Sequence, residues 1–177
     1  MSTIKKRFGI LQYKLCMFLV NRYFAGTKAK NFEIKRRLLR KAGFDIGEHT
    51  KVVGPVHCDV PVTIGKNCWI GKNFAVHGEG RVTIGDNCDF GPEVAILTGG
   101  HSIGSEDRRA GEGEIYEVVI ENGVWIGARA TILRNTKVSS GCVVTSCACV
   151  IHDTEKNTMV GGVPAKKIRG LNDDSLS

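Results

Sequence analysis

The chain has 177 residues, of which 42% are hydrophobic, 24% charged and 7% aromatic. These proportions suit one soluble domain, while the scarcity of aromatic residues and the presence of 22 glycines argue against a wide, aromatic-filled core. The net charge of +7 is unevenly distributed, because residues 1–51 carry 13 Lys or Arg against 3 Asp or Glu and the remainder is net acidic.

Residues 1–45 are predicted to form a basic helical segment. In its first half, apolar residues recur at helical spacing among Lys and Arg side chains; they are Ile4, Phe8, Leu11, Leu15, Phe18 and Leu19. Residues 32–42 predict a second basic helix, which ends at Gly43. Two interpretations remain open: the helices cover the open end of the body, or residues 1–24 rest on an anionic membrane surface. No nucleic-acid partner is expected.

The sequence also bears on the compartment. The apolar run at residues 16–20 is too short for a signal sequence or a membrane span. The chain has seven cysteines, and this odd number favours free thiols in a reducing compartment. We therefore expect a cytoplasmic location, with peripheral membrane contact as the open alternative.

The main signal is an apolar residue, nearly always Ile or Val, at every sixth position, with one slip of two residues and one interruption. These hexad positions are Ile46, Val52, Cys58, Ile64, Ile70, Val76, Ile84, Phe90, Ile96, Ile120, Ile126, Ile132, Val138, Val144 and Val150. Four positions after seven of them comes a small or β-branched residue: Thr50, Cys68, Cys88, Val124, Ala130, Cys142 and Ala148. Three positions after come residues that tolerate the positive φ of a tight turn, namely Asn67, Asn73, Asn87, Gly99, Gly123, Asn135 and Gly141. Each hexad predicts a short strand and a corner, and three hexads make one triangular coil.

Several of these units resemble a known family. The runs Ile64-Gly-Lys-Asn-Cys-Trp, Ile84-Gly-Asp-Asn-Cys and Val124-Trp-Ile-Gly-Ala, with the closing run 160–169, are similar to hexapeptide-repeat acyltransferases, above all the galactoside, maltose and nodulation acetyltransferases. The resemblance covers residues 46–170 and leaves 171–177 as a tail. It implies a left-handed parallel β-helix of about five coils, acetyl-CoA as co-substrate without a metal, and a homotrimer with active sites between subunits.

The repeat stops at residues 102–119, which predict one protruding loop, and His101 stands at its root after two glycines. A hydroxyl becomes a good nucleophile when a base removes its proton during attack on a thioester, and His is the usual base near neutral pH. The resembled family has its catalytic His at this point. We therefore predict that His101 is the general base for acetyl transfer to a hydroxyl of a sugar or glycan precursor.

The resemblance implies further site residues. For the acceptor, Gly71 stands where the family has an Asn, Asn73 lies two residues later, and Glu79 corresponds to a family Asp. Trp125 is a candidate wall of the acetyl pocket, or an outward residue at a trimer interface. The positions matching the cofactor site are Ala128, Ser146, His152, Lys166 and Arg169, of which the last two carry the charge that phosphates attract.

Two alternatives stay open. The same fold carries the gamma-class carbonic anhydrases, which hold Zn²⁺ with three His, although no paired His lies near His101 in the sequence. An acetyltransferase acting on an amine or on serine is the other alternative.

Overall fold

The computed structural model describes residues 3–171, with side chains from residue 9 onward. Two helices, α1 (Thr3–Arg22) and α2 (Ala29–Lys41), precede the strands. The strands are β1 Asp45–Ile46, β2 Lys51–Val52, β3 Val56–Cys58, β4 Thr63–Ile64, β5 Trp69–Ile70, β6 Phe74–His77, β7 Arg81–Ile84, β8 Asp89–Phe90, β9 Ala95–Leu97, β10 Gly99–Ile103, β11 Ala110–Ile115, β12 Glu117–Ile120, β13 Trp125–Ile126, β14 Thr131–Leu133, β15 Lys137–Val138, β16 Val143–Val144, β17 Cys149–Val150, β18 Thr158–Gly162 and β19 Ala165–Gly170.

Three parallel sheets form the faces of a triangular prism. Face A has the order β1-β4-β7-β12-β15, face C has β3-β6-β9-β14-β17, and face B has β2-β5-β8-β13-β16-β18, with β19 added antiparallel at its end. Five coils are complete, and β18 begins a sixth. The prediction of a left-handed parallel β-helix with an amino-terminal helical segment is confirmed.

The hexad residues form the core of this prism. All of them are buried, with at most 8% of their surface exposed. They pair in register down each face, so that Ile84 lies between Ile64 and Ile120 on face A. Aliphatic side chains stacked at the ~4.8 Å strand spacing exclude water along the whole axis. The small residues four positions later are also buried; they are Thr50, Cys68, Cys88, Val124, Ala130, Cys142 and Ala148.

Most predicted corners have the expected backbone. A positive φ is found at Asn67, Asn73, Asn87, Gly123 and Gly141. Two predicted corners are wrong. Gly99 begins β10, because the chain leaves the prism there. At the other corner, the residue with positive φ is Arg134, at 65°, and not the predicted Asn135. The side-chain oxygen of Asn135 instead accepts the N–H of Glu117, where the chain re-enters the prism.

Both irregularities of the repeat lie on one edge of the prism, which we name the C–A edge because it joins face C to face A. The slip occupies residues 78–80, between β6 and β7, and the interruption lies on the next coil, between β9 and β12. The interruption contains an antiparallel hairpin, β10–β11, that the hexad pattern does not indicate. The edge joining face B to face C, named the B–C edge, has no such insertion.

The two helices cover the first coil. Cys16, Met17 and Val20 of α1 and Leu39 of α2 belong to the same buried cluster as Ile46. Three residues of the predicted apolar stripe, Leu11, Leu15 and Phe18, are on the opposite face of α1 and more than half exposed. Leu19 is partly buried, and the side chains of Ile4 and Phe8 lie outside the described ones. Within the described residues, no helix is long and apolar enough to cross a membrane.

Candidate active site

Thr98 holds together the two irregular segments of the C–A edge. Its side chain is fully buried, and its Oγ1 accepts the N–H of Gly80 and donates to the carbonyl oxygen of His77, both at 3.1 Å. Its own carbonyl oxygen accepts the N–H of Tyr116 at 2.8 Å. One threonine therefore fixes the slip, the start of the hairpin and its end relative to one another.

His101 lies on β10, opposite Gly113 of β11. Its ring Nδ1 is 3.0 Å from the carbonyl oxygen of Gly111. A carbonyl oxygen only accepts hydrogen bonds, so this contact assigns the proton of a neutral imidazole to Nδ1. The other nitrogen, Nε2, then has a free lone pair. The exposed ring is thus held in the tautomer that a general base requires.

An open cleft of about 590 Å³ lies beside His101. It brings together side chains from three segments of the C–A edge: His77, Glu79, Leu97, His101, Glu114 and Ile115. Glu79, predicted as an acceptor ligand, therefore shares a cleft with the predicted base. The charged lining residues are carboxylates, and no Lys or Arg is among them.

A second cleft of about 600 Å³ shares Glu114 and Ile115 with the first. It is lined by Glu114, Ile115, Tyr116, Arg134, Asn135, Ile151 and His152, and so contains the predicted cofactor residue His152 beside a guanidinium. The Tyr116 hydroxyl donates to Oε2 of Glu114 at 2.6 Å. This hydrogen bond raises the pKa of Tyr116 above its ordinary value, because the phenolate would face the carboxylate.

The other predicted residues lie elsewhere on the chain. Gly71, Asn73, Ala128 and Ser146 follow strands of face B and lie on the B–C edge. At two of these positions packing explains the residue type. A Cβ on Gly71 would lie 2.4 Å from the Gly91 carbonyl oxygen, and Asn73 has a φ of 59°.

Trp125 is on face B and 58% exposed. Lys166 and Arg169 are exposed on β19. One chain therefore does not bring the residues of the B–C edge, face B and β19 to His101.

Four residues that line the two clefts or support them were not predicted: Thr98, Gly111, Glu114 and Tyr116. Their roles depend on the register of β10 against β11, which the six-residue period does not encode. Within the described part of the chain, no group of three His, Cys, Asp or Glu residues is placed to hold a metal ion.

Comparison with known proteins finds similar sequences and similar structures. The family model described as the hexapeptide repeat of succinyl-transferase matches residues 61–91 and 117–146. The chain is 30% identical to the galactoside O-acetyltransferase of Escherichia coli strain K12 over 152 residues, covering 85% of this chain and 75% of the relative. A Vibrio cholerae hexapeptide-repeat acetyltransferase, solved with acetyl coenzyme A, superposes with a TM-score of 0.82 at 27% identity. The superposition covers 97% of this chain and 92% of that one. A maltose O-acetyltransferase of Clostridium difficile 630 superposes with a TM-score of 0.78 at 25% identity. The superposition covers 94% of this chain and 89% of that one.

Proposed function

Because this chain belongs to the hexapeptide-repeat acyltransferase family, we propose that it transfers an acetyl group from acetyl-CoA to a hydroxyl of a sugar or glycan precursor, with His101 as the general base. Its relatives support the acetyl-CoA dependence. The observation that carries the role of His101 is its contact with the Gly111 carbonyl oxygen, which leaves Nε2 unprotonated in an open cleft.

The chemistry requires one proton relay. Acetyl-CoA supplies a thioester carbonyl that an alcohol attacks. Nε2 of His101 takes the hydroxyl proton as the new ester bond forms, and the Gly111 carbonyl oxygen stabilises the resulting imidazolium through Nδ1–H. His101 then gives the proton to the sulfur as the thioester bond breaks. Glu79 accepts hydrogen bonds from other hydroxyls of the acceptor.

The cofactor site in this proposal is shared between subunits of a homotrimer. His152 and Arg134 of the second cleft lie on the C–A edge near His101, whereas Ala128 and Ser146 lie on the B–C edge. Joining the C–A edge of one prism to the B–C edge of its neighbour would put both groups in one groove. Trp125 would then stand at the interface, and Lys166 and Arg169 would supply charge for the phosphates.

Kinetics of two His101 variants test the assignment. We expect His101→Ala and His101→Gln to lower kcat for coenzyme A release by roughly 10²–10⁴-fold, while acetyl-CoA binding by calorimetry is retained. His57→Ala, which changes an exposed His on face C, is the control and should remain active. Transfer by His101→Ala at the wild-type rate would contradict the proposal, as would Zn²⁺ in the purified protein whose removal abolishes activity.

A second part of the proposal concerns α1 and a cytoplasmic role in polysaccharide biosynthesis at the membrane surface. The exposed residues Leu11, Leu15 and Phe18 lie beside Lys14 and Arg22, and apolar side chains flanked by basic ones suit an anionic bilayer. Sedimentation with phosphatidylserine vesicles should exceed that with phosphatidylcholine vesicles and be lost in Leu15→Glu. Equal sedimentation with the two kinds of vesicle would contradict the proposed membrane contact of α1.

A further inference from the structure

We propose that the acceptor of the His101 cleft is a glycan anchored in a bilayer by a lipid, with the acetylated ring roughly 15–20 Å above the membrane surface. This inference rests on the proposed function, because it concerns the substrate of the same cleft and uses the proposed membrane contact of α1. It adds the kind of molecule that carries the acceptor sugar, and the distance between that sugar and its lipid.

The helix α1 lies across the open end of the prism and reaches the C–A edge. Near its carboxyl end, Asn21 Nδ2 donates to the carbonyl oxygen of Val56 at 2.7 Å, and Asn21 Oδ1 accepts the N–H of Val56 at 2.9 Å. Nearer its amino end, the Tyr13 hydroxyl donates to the carbonyl oxygen of Cys58. Val56 and Cys58 are the two ends of β3 on the first coil. The helix therefore runs beneath face C, with Tyr13 toward the C–A edge.

The exposed face of α1 points away from the prism. Leu11, Leu15 and Phe18 are spaced as neighbours on one side of a helix, opposite the side that is buried against the first coil. The charged residues in the sequence of α1 are all basic; they are Lys5, Lys6, Arg7, Lys14 and Arg22. An apolar face on a wholly basic helix complements an anionic bilayer. The end of the prism is thus the side that meets the membrane.

The His101 cleft is joined to this end through Asp59, which follows β3 on the C–A edge. Asp59 Oδ2 accepts the N–H of Gly78 at 3.0 Å and lies 3.6 Å from Nδ1 of His77. Gly78 and His77 both line the His101 cleft. One carboxylate therefore connects the strand that α1 contacts to the wall of the cleft, and the cleft opens on the corner of the prism nearest Tyr13.

The fold sets the height of the cleft above the membrane. Its lining residues belong to the second and third coils, which are one and two strand spacings of ~4.8 Å from the first. The helix between the first coil and the bilayer is about 10 Å thick with its side chains. Together these lengths put the cleft roughly 15–20 Å from the surface. A sugar joined directly to a lipid stays at the surface, whereas a spacer of that length brings it to His101.

A series of synthetic galactolipids in phosphatidylserine vesicles tests this geometry with the full chain. Galactose is joined to a dialkylglycerol either directly or through an oligo(ethylene glycol) spacer of roughly 15–20 Å, and methyl galactoside is the soluble reference. Coenzyme A release should be at least roughly tenfold faster with the spaced lipid than with methyl galactoside at equal concentration, because binding to the same vesicle concentrates enzyme and acceptor. The directly joined lipid should show no such gain.

Leu15→Glu should abolish the gain with the spaced lipid, because it places a negative charge on the face that meets the bilayer. The matched control is Val163→Glu, which makes the same charge change at an exposed apolar residue between β18 and β19, at the other end of the prism. Its ratio of spaced lipid to methyl galactoside should equal that of the wild type.

Three results would overturn the inference while transfer to methyl galactoside upholds the proposed function. They are a spaced lipid used no faster than methyl galactoside, as expected if another molecule covers α1, a directly joined lipid used as well as the spaced one, and a gain that survives Leu15→Glu. Transfer to none of the three acceptors would instead contradict the proposed function and this inference together.

Discussion

At the residue scale, Gly100 controls how the backbone beside His101 packs. A Cβ at position 100 would lie 2.7 Å from the hydroxyl oxygen of Tyr116 and 2.8 Å from its Cε2. The ring of Tyr116 therefore occupies the space that a side chain would need. Since the Tyr116 hydroxyl also donates to Glu114, this contact couples the Glu114 carboxylate to the strand that carries the proposed base.

Gly100→Ala should displace the ring of Tyr116 and lower kcat/KM by about tenfold, because small displacements of positioned groups weaken catalysis strongly. Steady-state kinetics on acetyl-CoA and one sugar measure this. Gly170→Ala on β19 is the control, since a Cβ there would also meet nothing within 4 Å. Equal losses in both variants would show that the Tyr116 contact does not matter.

The choice of His101 as the proposed base can be made from the sequence, whereas the orientation of its ring cannot. His101 immediately precedes the break in the repeat, which selects it among the five His of the chain. Its tautomer depends on the Gly111 carbonyl oxygen, and any residue type at position 111 would present a carbonyl. Glu114 and Tyr116 could not be predicted for a similar reason, because only the hairpin register places them at the second cleft.

At the element scale, Lys35 joins the helical cover to the first coil. It is fully buried on α2, and its Nζ donates to the carbonyl oxygens of Gly26 and Val53 at 2.7 and 3.0 Å. The ammonium also lies 4.4 Å from the centroid of the Phe32 ring. These contacts attach the α1–α2 connection to the prism.

Lys35→Met should lower the free energy of unfolding by about 2 kcal/mol, because it removes a buried donor from carbonyl groups that then lack it. Denaturant titration measures the change. Lys28→Met, at an exposed position before α2, should leave stability within about 0.5 kcal/mol of the wild type. Similar small effects of both variants would mean that Lys35 contributes no net stability.

Lys35 also predicts a pH dependence. Burial lowers its pKa to about 8, whereas an unfolded Lys has a pKa of ~10.4. Between these values the unfolded chain binds the extra proton, so stability rises with pH. The stability difference between wild type and Lys35→Met should increase from pH 7.5 to 10 and then level off. A difference that stays constant over this range would contradict the assignment.

The regular elements follow from the sequence more fully than the irregular ones. A buried aliphatic every sixth residue fixes strand, corner and column together, since a slip would expose the whole series. The slip of two residues and the interruption mark the C–A edge for the same reason. The helical stripe is less informative: Leu11, Leu15 and Phe18 are at helical spacing but lie opposite the face of α1 that packs on the first coil.

At the scale of the whole molecule, the proposed catalytic and cofactor groups lie on two edges of one prism. His101, Glu79 and His152 are on the C–A edge, and Ala128 and Ser146 are on the B–C edge. A rigid prism cannot bring its own edges together, because the buried hexad core lies between them. In the proposed function, a complete site therefore combines edges of two subunits.

Subunit complementation tests whether the active site is shared between subunits. His101→Ala lacks the base, and Ser146→Trp places bulk at an exposed position of the B–C edge; each variant alone should be inactive. In trimers mixed at equal amounts, each mixed trimer would have one interface with both edges intact, so about a quarter of wild-type coenzyme A release should return. Mixed trimers that remain inactive, while each variant still folds and forms trimers, would contradict the proposal that the active site is shared between subunits.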